Sequence, residues 1–372
     1  MTGRRIQSID VWKGITILSV LNLHTVFWSG SIYLPNWFAW LSLLLDVPVF
    51  FFISGFLFGG QEAHTAVQRG GRQIVRLLGD YAVVAAVAWL SGLVIIASTG
   101  GVPVSRLWIS IVSGLLLEPH GVCWDSWNVF GGSMWFLRTY LAVIPIGLCL
   151  LSVTPKRAAF IPCLSALLLF AAMRQPLSPQ PLFLSLSLVF HFGVFMAGAA
   201  FRTVRRRFSA KKLCMALAGL VLLSVLIILI YPERHNLQAE KFPPTLIHLL
   251  VSSYSILAFC ILLEIEDERG VIPLPERIRS ALCWCGQNSY RIYLWQGLIT
   301  SVPFLFIPVL IQSGIPSVAI YIICLTWNVA ATLSLVVLHQ RVEETLIAWG
   351  RQRSWRSRDL SHHGTAATNQ LP

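Results

Sequence analysis

The chain has 372 residues, 56% of them hydrophobic and only 12% charged, with a mean hydropathy of +0.70. That composition excludes a soluble globular domain, and apolar runs too long for barrel strands exclude an outer-membrane barrel, which leaves a helical membrane protein. The formal net charge is +12, but the basic residues gather in alternate loops, so topology accounts for them first and no nucleic-acid role is assigned.

Each crossing of a hydrocarbon core takes about 20 mostly apolar residues. On that basis the sequence predicts an all-α polytopic protein, about ten transmembrane helices in one bundle, at 14–30, 38–59, 77–98, 134–152, 157–173, 182–200, 213–230, 245–263, 289–311 and 315–338. The first run is expected to stay in the protein as a helix, because it is long, lacks a small-residue cleavage site and keeps charged groups near its start. RLWISIVSGLLLEPH, residues 106–120, is too short to cross and reads as an interfacial or re-entrant helix. Arg4, Arg5 and Lys13 precede the first span; Arg69, Arg72 and Arg76 follow the second; Lys156 and Arg157 the fourth; RTVRRRFSAKK the sixth; Arg269, Arg277 and Arg279 the eighth. The opposite loops hold only Arg106, Arg174, Arg234 and Lys241, so both termini are expected in the cytoplasm. Residues 1–340 form the membrane domain, and 341–372 read as a basic, disordered cytoplasmic tail. Of the eight cysteines only Cys123 falls in an external loop, which leaves no external disulfide framework; Cys283 and Cys285 form a lone CxC without partners for a metal.

The first span, within SIDVWKGITILSVLNLHTVFW, residues 8–28, carries Asp10, Lys13 and His24. At ~100° and 1.5 Å per residue, Lys13 and His24 share one helix face about 16 Å apart, which puts the imidazole near mid-bilayer if Lys13 is at the boundary. Asp10 pairs more naturally with Lys13 at i, i+3 than with the distant ring. An ionisable group at that depth points to function, and a neutral imidazole can take a proton from a hydroxyl. The alternative is a polar contact with Thr16, Ser19 and Asn22 that only joins helices. His191 and His248 also stand in apolar context, where a satisfied interhelical bond competes with function. His120, His235, Trp124 and Asp125 fall in external loops, where aromatic and carboxylate side chains suit sugar recognition and surface exposure equally well.

Lys13 followed by ten residues and His24 resembles the Arg/Lys-x10-His signature of the acyltransferase family 3 membrane proteins. VPVFFFISGFLFG, residues 47–59, resembles that family's second helix; Arg69-Gly70-Gly71-Arg72 matches its RxxR motif; MWFLRTYL from 134 and CGQNSYRIYLWQ, residues 285–296, are similar to later elements. The matches run in family order from residue 8 to about 340, and Gln296 stands where many relatives have histidine. The resemblance implies about ten helices in one domain and transfer of an acyl group, usually acetyl, from acyl-CoA to a sugar hydroxyl. Acceptors in such a family are surface polysaccharides, lipid-linked glycans and exported oligosaccharides, and the setting is a bacterial inner membrane.

Thioester-to-alcohol transfer needs a base, an anion site for the donor and a stabilised oxyanion. His24 is the candidate base or acyl carrier, with Lys13 beside it in the motif. Arg69, Arg72 and Arg76, with Lys13, are placed to meet the phosphates of the donor, with Gly70 and Gly71 letting the backbone approach; charge that merely fixes topology is the rival reading. Asp10, Trp135, Arg138, Ser289, Tyr290 and Gln296 are the candidate acceptor contacts. Against them stand an aromatic belt for Trp135, snorkelling for Arg138 and an N-cap role for Ser289 or Asn288. The expected partners are the bilayer, an acyl-CoA such as acetyl-CoA and a glycan, with no metal. A glycan transporter or flippase is the rival from another class, although no related halves are visible.

Overall fold

The structure is a computed structural model that describes residues 6–35, 38, 42–43, 45, 47–98, 104–154, 159–172, 179–230 and 244–366. Arg4, Arg5, Lys156, Arg157, Arg174, Arg234, His235 and Lys241 lie outside the described residues. Within them the chain is helical, with no strand. The helices are α1 (Gln7–His24), α2 (Pro48–Gly59), α3 (Ala63–Ser98), α4 (Val104–Leu115), α5 (Asn128–Ser133), α6 (Trp135–Val153) and α7 (Phe160–Ala172). They continue as α8 (Pro179–Val204), α9 (Ala210–Ile230), α10 (Leu246–Arg269), α11 (Glu276–Gln287), α12 (Ser289–Ile299), α13 (Ile307–Gln312) and α14 (Ser317–Ala366).

Seven helical stretches among the described residues are long and apolar enough to cross a membrane, not the ten expected. Two of the expected spans are shorter helices. The second is represented by α2, which starts at Pro48 and has 12 residues; that is about 18 Å of helix against a hydrocarbon core of about 30 Å. Proline suits a first turn because it lacks the N–H that a helix start would leave unpaired. The fifth is the 13-residue α7. The 106–120 segment is the short helix α4, with Trp108, Ile109, Leu115 and Leu116 exposed and Ser110 and Ser113 buried. α14 continues to Ala366, through the segment read from sequence as a tail.

Two helix pairs approach closely enough that glycine is required at the contact. Gly14 of α1 lies against the Leu282 carbonyl of α11, and Gly286 of α11 lies against the Asp10 carbonyl of α1. Gly55 of α2 and Gly198 of α8 meet the backbones of Phe195 and Phe52 in the same reciprocal way. In a bilayer, where lipid tails are as apolar as leucine, such small-residue contacts let dispersion and carbonyl packing drive association. The N-terminus of α1 is held from α10: Glu266 accepts from Gln7 N at 2.9 Å and from Ser8 N at 2.8 Å. A carboxylate there satisfies two first-turn donors and complements the helix dipole.

The basic run after α8 does more than orient the chain. Arg205 is buried, its Nε donates to Glu264 at 3.0 Å, and its Nη2 reaches Asp267. The Arg202 and Arg205 guanidiniums lie 4.7 and 5.8 Å from the Phe56 ring centroid. One arginine thus joins α8 and α10 at the rim of α2.

Candidate active site

A cavity of about 530 Å³ lies among α1, α2, α3, α6 and α12. The face of α3 that lines it reads Arg69, Arg72, Gln73, Arg76, Leu77 and Asp80, a spacing of three and four residues that puts them on one side of a helix. Lys13, Ile17 and Val20 line it from α1. That series continues through His24 on the same face, one turn beyond Val20. His24 is 8% exposed and is not among the residues that line the cavity. Immediately after His24 the helix widens into a π-helix over Thr25–Ser29, a local geometry often found at functional sites.

The cavity therefore brings together Lys13, Arg69, Arg72, Arg76, Ser289 and Tyr290. The Tyr290 hydroxyl donates to the Leu77 carbonyl at 2.8 Å, which fixes it to α3. Gly70, expected to make way for a ligand, packs against Leu148 of α6. Asn288 stands at the N-cap position of α12 without capping it through its side chain. Its Nδ2 donates to the Trp284 carbonyl at 3.0 Å, and its Oδ1 accepts from Gln340 Nε2 at 2.5 Å.

Other predicted contacts stand elsewhere. Asp10 is buried where α1 crosses α11. Arg138 pairs with Glu118 of the segment after α4, and Trp135 packs on Phe136 and on the His191 ring, 5.7 Å away. His191 is a core histidine whose Nδ1 donates to the Ser187 carbonyl at 2.7 Å, with Phe51 at 4.5 Å. Gln296 is fully buried on α12, and neither Nε2 nor Oε1 has a hydrogen-bond partner among the described residues. Thr300 and Thr332 are likewise fully buried with unpartnered hydroxyls. Asn328, with Oδ1 unpartnered, donates through Nδ2 at 2.8 Å to Thr25, the residue after His24. A buried polar atom left without a partner costs about 1–3 kcal/mol.

Sequence reasoning missed the charge cluster at the cavity wall. Arg291 Nε and Nη2 both lie 3.2 Å from Asp80 Oδ1, and Nη2 also reaches Glu343. Trp295 Nε1 donates to His339 Nδ1 at 3.1 Å. This bond leaves the His339 Nε2 edge toward Asp80, 3.6 Å away. Arg291 is thereby committed to carboxylates, whereas Arg69, Arg72 and Arg76 of α3 have no ion-pair partner among the described residues. Asp80 carried a readable signal, an acid inside the expected third span. Tyr140 and Ser54, 2.7 Å apart in the same cavity, carried none, since hydroxyls are ordinary in membrane helices.

The profile of a family described as "Acyltransferase domain" matches residues 6–337. Comparison with curated proteins and with solved structures returns no match.

Proposed function

The chain belongs to this acyltransferase family and forms a multi-pass membrane acyltransferase; from that premise we propose that it moves an acyl group, acetyl first among candidates, from acyl-CoA to a hydroxyl of a surface polysaccharide, lipid-linked glycan or exported oligosaccharide. The observation that carries this reading is the cavity itself, with cationic side chains on α3 and a wall that climbs α1 from Lys13 to Val20 toward His24. Arginine forks match phosphate oxygens bidentately, so Arg69, Arg72 and Arg76 hold the nucleotide end of the donor, with Lys13 beside them. The basic end faces the cytoplasm of a bacterial inner membrane, where acyl-CoA is made.

The thioester end then lies along the α1 face. The acceptor oxygen attacks the thioester carbonyl while His24 takes the hydroxyl proton; the tetrahedral intermediate collapses, the C–S bond breaks, and the imidazolium returns the proton to the departing sulfur. In the second form of the same chemistry the imidazole accepts the acyl group before the alcohol does. Gln296, on the same helix as Ser289 and Tyr290 but outside the cavity lining, is the candidate to orient a hydroxyl or an oxyanion. His24 stands one turn past the cavity wall at Val20, so this mechanism requires the wall to open there.

Purified protein supplied with radiolabelled acetyl-CoA and candidate glycans tests the proposal. His24→Ala abolishes label transfer, by a factor of at least about 10², with unchanged thermal unfolding. Arg72→Ala raises KM for the donor and leaves kcat near that of the parent. Full transfer by the His24→Ala protein would remove the imidazole from the mechanism.

A further inference from the structure

In the cavity lining three helices meet through side-chain hydrogen bonds. Tyr140 of α6 and Ser54 of α2 are both buried and their hydroxyl oxygens are 2.7 Å apart. Gln73 of α3 donates through Nε2 to the Tyr140 oxygen at 2.8 Å. All three residues line the cavity. Gln73 sits one turn along α3 from Arg69, next to Arg72.

Counting donors and acceptors shows what this group still offers. Two hydroxyls share one bond, so one O–H remains to donate, whichever of Tyr140 and Ser54 supplies the shared proton. Gln73 uses one of its two amide N–H groups, and among the described residues its Oε1 makes no hydrogen bond. One O–H, one N–H and one amide oxygen side by side on a cavity wall are complementary to a secondary amide, whose C=O accepts up to two hydrogen bonds and whose N–H donates one. A sugar hydroxyl also bonds to such a group, but the neighbouring Ile53, Leu57, Phe58 and Phe136 favour a partner with long apolar stretches between its polar groups. The arm of an acyl-pantetheine thioester has that make-up: amides separated by methylenes, with phosphates at one end.

We propose that Gln73, Ser54 and Tyr140 form the binding site for an amide of the donor's pantetheine arm, holding the arm between the phosphate-binding arginines and the α1 face that leads to His24. The assignment rests on the acyl-CoA reading above and adds to it a site for the arm as distinct from the head.

The test measures binding of two probes to the full-length protein in lipid nanodiscs: coenzyme A, which has the arm, and adenosine 3′,5′-bisphosphate, which has phosphates and no arm. Tyr140→Phe and Gln73→Leu are each expected to weaken coenzyme A about tenfold, the worth of one hydrogen bond, and to leave bisphosphate affinity unchanged. Arg72→Ala weakens both. Unaltered coenzyme A affinity in both variants overturns the proposal while leaving the acyl-CoA reading in place. Equal losses for both probes also overturn it, because they indicate a disturbed cavity rather than a lost arm contact. If the parent protein binds neither probe, the acyl-CoA reading falls and this assignment falls with it.

Discussion

Gln296 poses the sharpest question at the scale of one residue. Its amide is fully buried and both of its polar ends lack partners among the described residues, an arrangement that costs about 1–3 kcal/mol per group. Gln296→Leu preserves most of the volume and removes the unpaired groups. It is expected to raise the unfolding free energy by about 1–3 kcal/mol and to lower kcat. Calorimetric or fluorescence melting beside the label-transfer assay checks both, and a variant both less stable and fully active would show the amide to be a packing element. The family resemblance could single out this position, because Gln296 replaces a histidine found in many relatives. That the amide is unpaired was not legible, since hydrogen bonding depends on what α1 and α14 bring up to it.

Elements are placed here by close helix crossings and by buried charge. The α1–α11 contact depends on Gly14 and Gly286, each pressed on the other helix's backbone. Any Cβ there forces the helices apart, with an overpacking cost of about 1–3 kcal/mol. Because α11 leads into Asn288 and Ser289 of the cavity wall, Gly286→Ala is expected to lower thermal stability and also to raise KM for the donor. Loss of stability with an unchanged KM would separate the crossing from the site. The spacing of Lys13 and His24 was legible as one helix face, whereas its neighbour across the crossing was not, because glycine in a sequence does not say which backbone it meets. Arg205 gives the same lesson for charge. Within a run whose sign pattern reads as topology, this one side chain is buried against Glu264, 59 positions away.

For the whole molecule, electrostatics gives the clearest expectation. Lys13, Arg69, Arg72 and Arg76 converge on one cavity, while Arg291 on the same wall is matched by Asp80 and Glu343. A polyphosphate ligand held mainly by exposed arginines feels salt screening, with a Debye length of about 10 Å at 0.1 M and about 3 Å at 1 M. Coenzyme A affinity is therefore expected to fall roughly tenfold between 0.05 and 0.5 M salt, and Arg72→Ala is expected to flatten that dependence. Titration across ionic strengths checks this; a flat response in the parent would assign binding to apolar contacts instead. The matched charges around Arg291 have a different role, since removing one partner of a buried ion pair costs about 3–5 kcal/mol.

The sequence by itself determined that the chain is helical and membrane-embedded and which family it belongs to, because hydropathy, loop charge and the spacing from Lys13 to His24 are all local properties of the chain. It also singled out Arg69, Arg72 and Arg76, though as a loop after the second span and not as one face of a helix. Only the tertiary structure decided that this face meets α1 and α12 around a cavity, that Asp80 and Glu343 claim Arg291, that Arg138 turns to Glu118, and that Gln73, Ser54 and Tyr140 come together. Those outcomes depend on which helices become neighbours, and in a bilayer that is settled by close-packed contacts and paired buried charges between residues far apart in the chain, not by the apolar periodicity that every span shares.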